Sequence, residues 1–266
     1  MWAIYRKEMR AFLLSPMAWI FWCVFLILFG LAFNTLFERY NDMLMSNPDV
    51  NLTETVAGGA LGGFFKFLLL LMTPLLGMRL FAEEKEKGTL ELLFTYPLTE
   101  WQLIFGKILS ALTVTGILLA LTLPQFIYLG NYTTLEWPII WTTYLGWMLL
   151  LVALLSLGIW TSAVTNSQFV AAVLSLALML LMWLSQVFQP LFARLTFDVQ
   201  VPWFWKPFVW LGALFTWAYK ELAVTEHFES FGRGVINTND VLYYLSFAAF
   251  FLFLTYKKLE SRKWRG

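Results

Sequence analysis

The chain has 266 residues, of which 60% are hydrophobic, 19% aromatic and only 13% charged, with a formal net charge of +1. Soluble domains carry roughly 25% charged residues, so a water-soluble fold cannot hide this much apolar surface, and the near-neutral balance gives no electrostatic footprint for nucleic acid. One cysteine, Cys23, and one histidine, His227, exclude a disulfide framework and a Cys/His metal cluster within one chain.

The first elements predict an interfacial helix followed by a retained membrane span. Trp2, Tyr5, Met9, Phe12 and Leu13 recur at helical spacing, with Arg6, Lys7 and Arg10 on the other side, the pattern of a helix lying on a bilayer surface over residues 1–16. Ser15-Pro16 turns the chain inward. Apolar runs long enough to cross a bilayer, about 20 residues each, follow at 17–37, 59–81, 101–129, 141–164, 169–191 and 241–256. The first is too long for a signal-peptide core and lacks a cleavage site.

The expected fold is therefore all-α and integral to the membrane. It has six transmembrane helices in residues 17–266, preceded by the interfacial helix. Short external or re-entrant helices are expected in 192–240, where Trp203–Tyr219 is broken by Lys206, Pro207 and Gly212. Eleven Lys and Arg residues fall in the N-terminal segment, the 79–87 loop and the tail, against five in the opposite loops. By the positive-inside rule both termini are cytoplasmic. Lys66 and Lys107 are expected to snorkel to opposite interfaces, Arg233 and Asp240 to pair at the start of the last span, and His227 to sit in a loop or cap.

The loop at 82–100 holds the most information. Glu83, Glu84, Lys85, Glu86 and Lys87 form a charged run that Gly88 ends, and Thr89 is placed to cap a short helix, Leu90–Tyr96, which Pro97 follows. Thr99 and Gln102 fit a capping box opening the next span. Leu90, Leu93 and Phe94 would give the short helix an apolar face with no local core to cover it, which suggests a socket on a partner. Gly106-Lys107 is followed by Ile and has no glycine five residues earlier, so it is not a phosphate-binding loop.

The segment from Ala82 to Lys107, with its acidic run, Gly88-Thr89, Glu91, Pro97-Leu98 and Gly106-Lys107, resembles the ABC-2 type transporter permeases. The opening 4–19 and the stretch 227–247 are similar, more narrowly, to the gliding-motility-associated subgroup. The resemblance implies a permease subunit of the bacterial cytoplasmic (inner) membrane, working as a dimer with a separate ABC ATPase subunit. ATP and Mg would be bound by that partner, leaving this chain with no cofactor and no catalytic residue. It also implies that Glu83, Glu86, Gly88, Thr89, Glu91, Leu92, Leu93, Phe94 and Pro97 form the ATPase-coupling interface. Export is the implied direction. A non-transporting scaffold or channel-like subunit of an envelope complex is the alternative, and the scarcity of polar faces along the spans argues against a channel.

Overall fold

A computed structural model describes residues 1–46, 53, 61–90, 99–131, 134–197, 224 and 226–263. The described residues are helical or connecting, with no strand among them. The helices are α1 (Trp2–Leu13), α2 (Pro16–Ser46), α3 (Leu61–Gly77), α4 (Ala82–Glu86), α5 (Glu100–Ala120), α6 (Leu123–Gly130), α7 (Trp137–Val164), α8 (Gln168–Phe197), α9 (Glu229–Gly232) and α10 (Thr238–Lys263). A 3₁₀ turn, Glu226–Phe228, leads into α9.

Among the described residues, five segments are long and apolar enough to cross a membrane: Ala18–Glu38, Gly63–Glu86, Glu100–Gly130, Trp137–Val164 and Thr238–Ser261. The expected fifth span falls on α8, a 30-residue helix whose shorter apolar stretch Gln168–Leu184 is described. The Trp203–Tyr219 stretch lies outside the described residues.

Helix α7 is the hub and packs against α10, α3, α8, α5 and α9. Its sequence is apolar all round, as a helix enclosed by other helices must be. Small residues set two of its contacts. A Cβ on Gly77 of α3 would lie 2.9 Å from the Cα of Gly158, so the two backbones touch at that crossing. A Cβ on Gly146 would lie 2.8 Å from Cβ of Phe231, which seats α9 on the other end of α7. Close backbone approach through small residues is how helices associate where no hydrophobic drive separates them from lipid. By contrast α2 makes only light contact with α3 and α1 and leaves Ile20, Ile27 and Leu31 exposed.

One expected span is not a single helix. The run 101–129 is interrupted at Leu121–Thr122, because Pro124 at the start of α6 has no N–H to continue the ladder. The Thr122 hydroxyl bonds the Leu119 carbonyl at 2.7 Å and lies 2.6 Å from the Tyr144 hydroxyl of α7, so the break is satisfied by protein. The capping box opening α5 is present in full: Thr99 Oγ1 accepts from Gln102 N, and Gln102 Oε1 accepts from Thr99 N, both at 3.3 Å.

The chain ends α1 and begins α2 at Ser15-Pro16 as predicted, but the inward face of α1 differs from the expected one. Ile4, Glu8 and Phe12 are buried while Trp2 is exposed. The i, i+4, i+8 stripe that meets α5 thus has a carboxylate at its centre, and that carboxylate belongs to the site described next.

Candidate functional site

The acidic elbow after α3 is fastened to the ends of four helices. Ser162 Oγ, near the end of α7, accepts hydrogen bonds from the N–H groups of Phe81 (3.0 Å) and Ala82 (2.8 Å) and donates to the Met78 carbonyl (3.0 Å). Lys85 returns the bond: its Nζ donates to the carbonyls of Ser162 (3.2 Å), Ala163 and Thr165 (2.8 Å). A cation there satisfies orphan carbonyls and suits the negative end of the α7 dipole. Glu86 Oε2 accepts from the Gln168 N–H at 3.3 Å, the matching arrangement at the positive end of α8. The five-residue helix α4 therefore holds the α7–α8 corner from both sides.

The other side of the elbow closes a buried charge cluster. Lys107 of α5 is 1% exposed, and its Nζ lies 2.8 Å from Glu8 Oε1 of α1 and 2.9 Å from Glu84 Oε2 of α4. The first contact is an aligned hydrogen bond, the second an ion pair off the line of one. Glu84 Oε1 accepts from Lys7 Nζ at 2.9 Å, and Lys107 Nζ also stands 5.2 Å over the Phe81 ring. Two cations and two carboxylates cancel, which is the condition for keeping charges out of water. Burial works against the Lys7 ammonium, but its bond to Glu84 and the charges of Glu84, Glu8 and Glu83 outweigh it and hold its pKa above the usual lysine value. That contribution is complete below the ordinary lysine pKa and is lost only as pH rises through the raised one, so it is constant across the neutral range.

Gly106 makes the cluster possible. A Cβ there would sit 3.1 Å from Ile4 Cβ and 3.3 Å from the Met1 carbonyl oxygen, so glycine lets α1 lie against α5 without giving way, at the approach that brings Glu8 to Lys107. The Gly-Lys pair thus acts as a docking step for α1.

Lys107 therefore does not snorkel, because it finds two carboxylates within its own bundle. Lys66 is half-buried near the start of its span, with Nζ 4.8 Å from the centre of the Phe228 ring. Nor does Arg233 pair with Asp240. Arg233 faces Glu229 at 3.5 Å across one helical turn, while Asp240 holds His227 Nδ1 at 2.8 Å and the Ser230 hydroxyl. His227 also stacks on Tyr243 at 3.9 Å. In this group the carboxylate stands between serine and histidine, so the imidazole cannot take the serine proton; it is a clasp fixing the 3₁₀ turn and α9 onto α10, not a nucleophile and base.

Of the residues implied as the coupling interface, Glu83, Glu86, Gly88 and Thr89 are placed, whereas Glu91, Leu92, Leu93, Phe94 and Pro97 lie outside the described residues. Glu83 bridges Arg79 (3.1 Å) and Lys87 (2.6 Å); Arg79 also donates to Ser15 Oγ at 3.2 Å, tying the α1–α2 corner to the same end. Thr89 N bonds the Glu84 carbonyl at 2.9 Å, and Leu90, the first residue of the expected short helix, is buried. Sequence reasoning missed Glu8 and Ser162, and with them the partners of Lys85 and Lys107. An available signal was Glu8 sitting between Ile4 and Phe12 on one helical stripe, with an intramembrane lysine elsewhere to receive it.

Gly88 leaves the elbow with φ +67° and open space around its α-carbon, so conformation and not crowding requires glycine. Gly88→Val is expected to cost about 1–2 kcal/mol of thermal stability in detergent, with Gly88→Asn recovering most of it. Equal losses for the two variants would show that the left-handed turn is not what matters.

The helices and the charge-locked elbow define a multi-pass integral membrane protein. A family model described as ABC-2 family transporter protein matches residues 2–264, and the chain belongs to that family. No curated protein matches the chain.

Proposed function

We propose that this chain is the permease subunit of an ATP-driven ABC-2 type transporter. In this reading two permease chains work with a separate ATPase, export is the direction, and the assembly lies in the bacterial cytoplasmic membrane with both termini in the cytoplasm. Helix α8 supplies the remaining span, the fifth in chain order. What carries the proposal is the elbow: a family match over 2–264 coincides with a loop root, Ala82–Glu86, bonded to α7 and α8 and ion-paired to α1 and α5. A push on the segment that follows Gly88 would reach all four helices at once, which is what coupling to a motor needs.

The sidedness has two supports. The eleven-to-five basic asymmetry places the elbow inside, and Trp101 at the start of α5 stacks on Tyr256 near the end of α10 at 4.9 Å, bringing the tail to the end of the bundle that holds α1. The stretches 4–19 and 227–247 support a place near the gliding-motility-associated permeases.

The partner contact is assigned to Leu93 and Phe94 with Glu91, Leu92 and Pro97 around them. Glu86 is committed to α8, so its replacement would disturb the fold as well as the partner. The discriminating variant is Leu93→Ala/Phe94→Ala, which touches neither the elbow bonds nor a span. Truncating two central apolar anchors is expected to cost about 2 kcal/mol or more in binding, seen as loss of ATPase co-purification and of coupled transport from a chain that inserts and melts normally. Wild-type co-purification together with wild-type transport would sink the assignment.

A further inference from the structure

At the end of the bundle remote from the charge cluster, a cavity of about 620 Å³ opens between α2 and α6. At 1.5 Å per residue, α6 begins roughly 24 Å beyond Lys107, so the cavity lies at the depth of the opposite leaflet. Phe33, Phe37 and Tyr128 form its walls, and the polar lining is two amides, Asn34 and Gln125. The size falls in the ~300–1,000 Å³ range of small-molecule sites, and an apolar chamber with few polar groups is their usual character.

The polar groups are one-sided. Gln125 Oε1 is buried and has no hydrogen-bond partner, so it lacks a donor. Asn34 Nδ2 is turned away to hold Glu38 Oε1 at 3.1 Å, one turn further along α2, leaving an exposed carboxylate at the rim. No cation is found among the described lining residues. Leu31 and Ile127, next in sequence to the lining residues Gly30 and Tyr128, are both exposed on the bundle surface, where hydrocarbon would surround them. Gly30 makes room for the glutamine: a Cβ there would lie 3.4 Å from Gln125 Nε2.

We infer that this cavity is a binding site for a bilayer lipid with a protonated-amine head, of the phosphatidylethanolamine type, whose acyl chain fills the aromatic chamber. Its ammonium supplies the donor that Gln125 Oε1 lacks and faces Glu38. A choline head has no N–H and cannot make the first contact, and an anionic head without an amine would face the carboxylate.

The test uses the full chain in nanodiscs containing phosphatidylethanolamine or phosphatidylcholine with the same diazirine-bearing acyl chain, the adducts being located by mass spectrometry. Labelling at Phe33, Phe37 and Tyr128 is expected to favour the amine-headed lipid by about tenfold, the size of one hydrogen bond to a charged group. Gly30→Leu should fill the chamber and lower that labelling about tenfold, while labelling around the lipid-facing Phe253 stays unchanged and reports an intact fold. Gln125→Leu, which leaves α2 untouched, should abolish the headgroup preference yet keep the acyl labelling. Equal labelling by the two lipids in the unsubstituted chain, or a preference that survives Gln125→Leu, overturns the proposal; absence of cavity labelling assigns the space to water and overturns it as well.

Discussion

Lys107→Met is expected to destabilise the protein by about 3–5 kcal/mol, the usual result of removing one partner from a buried ion pair. The ammonium touches Glu8 and Glu84 from two different helices, and its loss leaves two carboxylates facing only Lys7, with Glu8 4.0 Å from that amine. Methionine matches the length of the chain but not the charge, so volume is held nearly constant. The test of cause is the double variant Lys107→Met/Glu8→Gln, which restores neutrality by leaving the Lys7–Glu84 pair. It should melt well above Lys107→Met alone, with a coupling energy of roughly 0.5–3 kcal/mol as for contacting residues. Additive losses in thermal midpoint would mean that Lys107 matters for packing and not for charge. The same substitution should also loosen α1, read as faster proteolysis or amide exchange in residues 2–13.

The second large effect is expected at the α3–α7 crossing, and it is asymmetric. A methyl on Gly77 would be driven to 2.9 Å from Gly158 Cα and 3.1 Å from its carbonyl carbon, while a methyl on Gly158 would meet Gly77 Cα at 3.3 Å. Both obstacles are backbone, which cannot rotate away, and the asymmetry lies in the distances, the contact from Gly77 being the closer. Gly77→Ala should therefore cost about 1–3 kcal/mol, as overpacking does, and Gly77→Val more, whereas Gly158→Ala should fall at the low end. Because Met78, Phe81 and Ala82 bond Ser162 one turn beyond that crossing, Gly77→Val should also disturb the elbow, measured as weakened ATPase co-purification beside the lower melting point. Equal melting points for Gly77→Ala and Gly158→Ala would contradict the close contact as drawn.

Class and local punctuation were legible because they are properties of short windows. Length and apolarity marked the spans; Ser15-Pro16 marked the first corner; Thr99 and Gln102 three residues apart marked the cap that opens α5; Gly88 marked the end of the charged run, where the structure has a left-handed turn. Each of these depends on neighbours within one turn of chain, where composition and spacing act directly. The break before Pro124 is open to the same reasoning, since proline has no N–H to continue the ladder.

The partner of each charge was not written locally. Lys107 near the membrane is equally compatible with reaching for headgroups and with meeting a carboxylate, and the choice depends on which way α1 is rolled and how close Gly106 lets it come. Glu8 and Lys107 are 99 residues apart. Asp240 similarly took His227 over Arg233 because the 3₁₀ turn brings the imidazole to it, while Arg233 is left beside Glu229 on its own helix. Sequence by itself determined an all-helical membrane protein with an acidic elbow ending in Gly88. Only the tertiary structure decided that the elbow joins α1, α5, α7 and α8, because the burial of each charge depends on the rotation and depth of helices distant in the chain, and periodicity specifies a face without specifying what it meets.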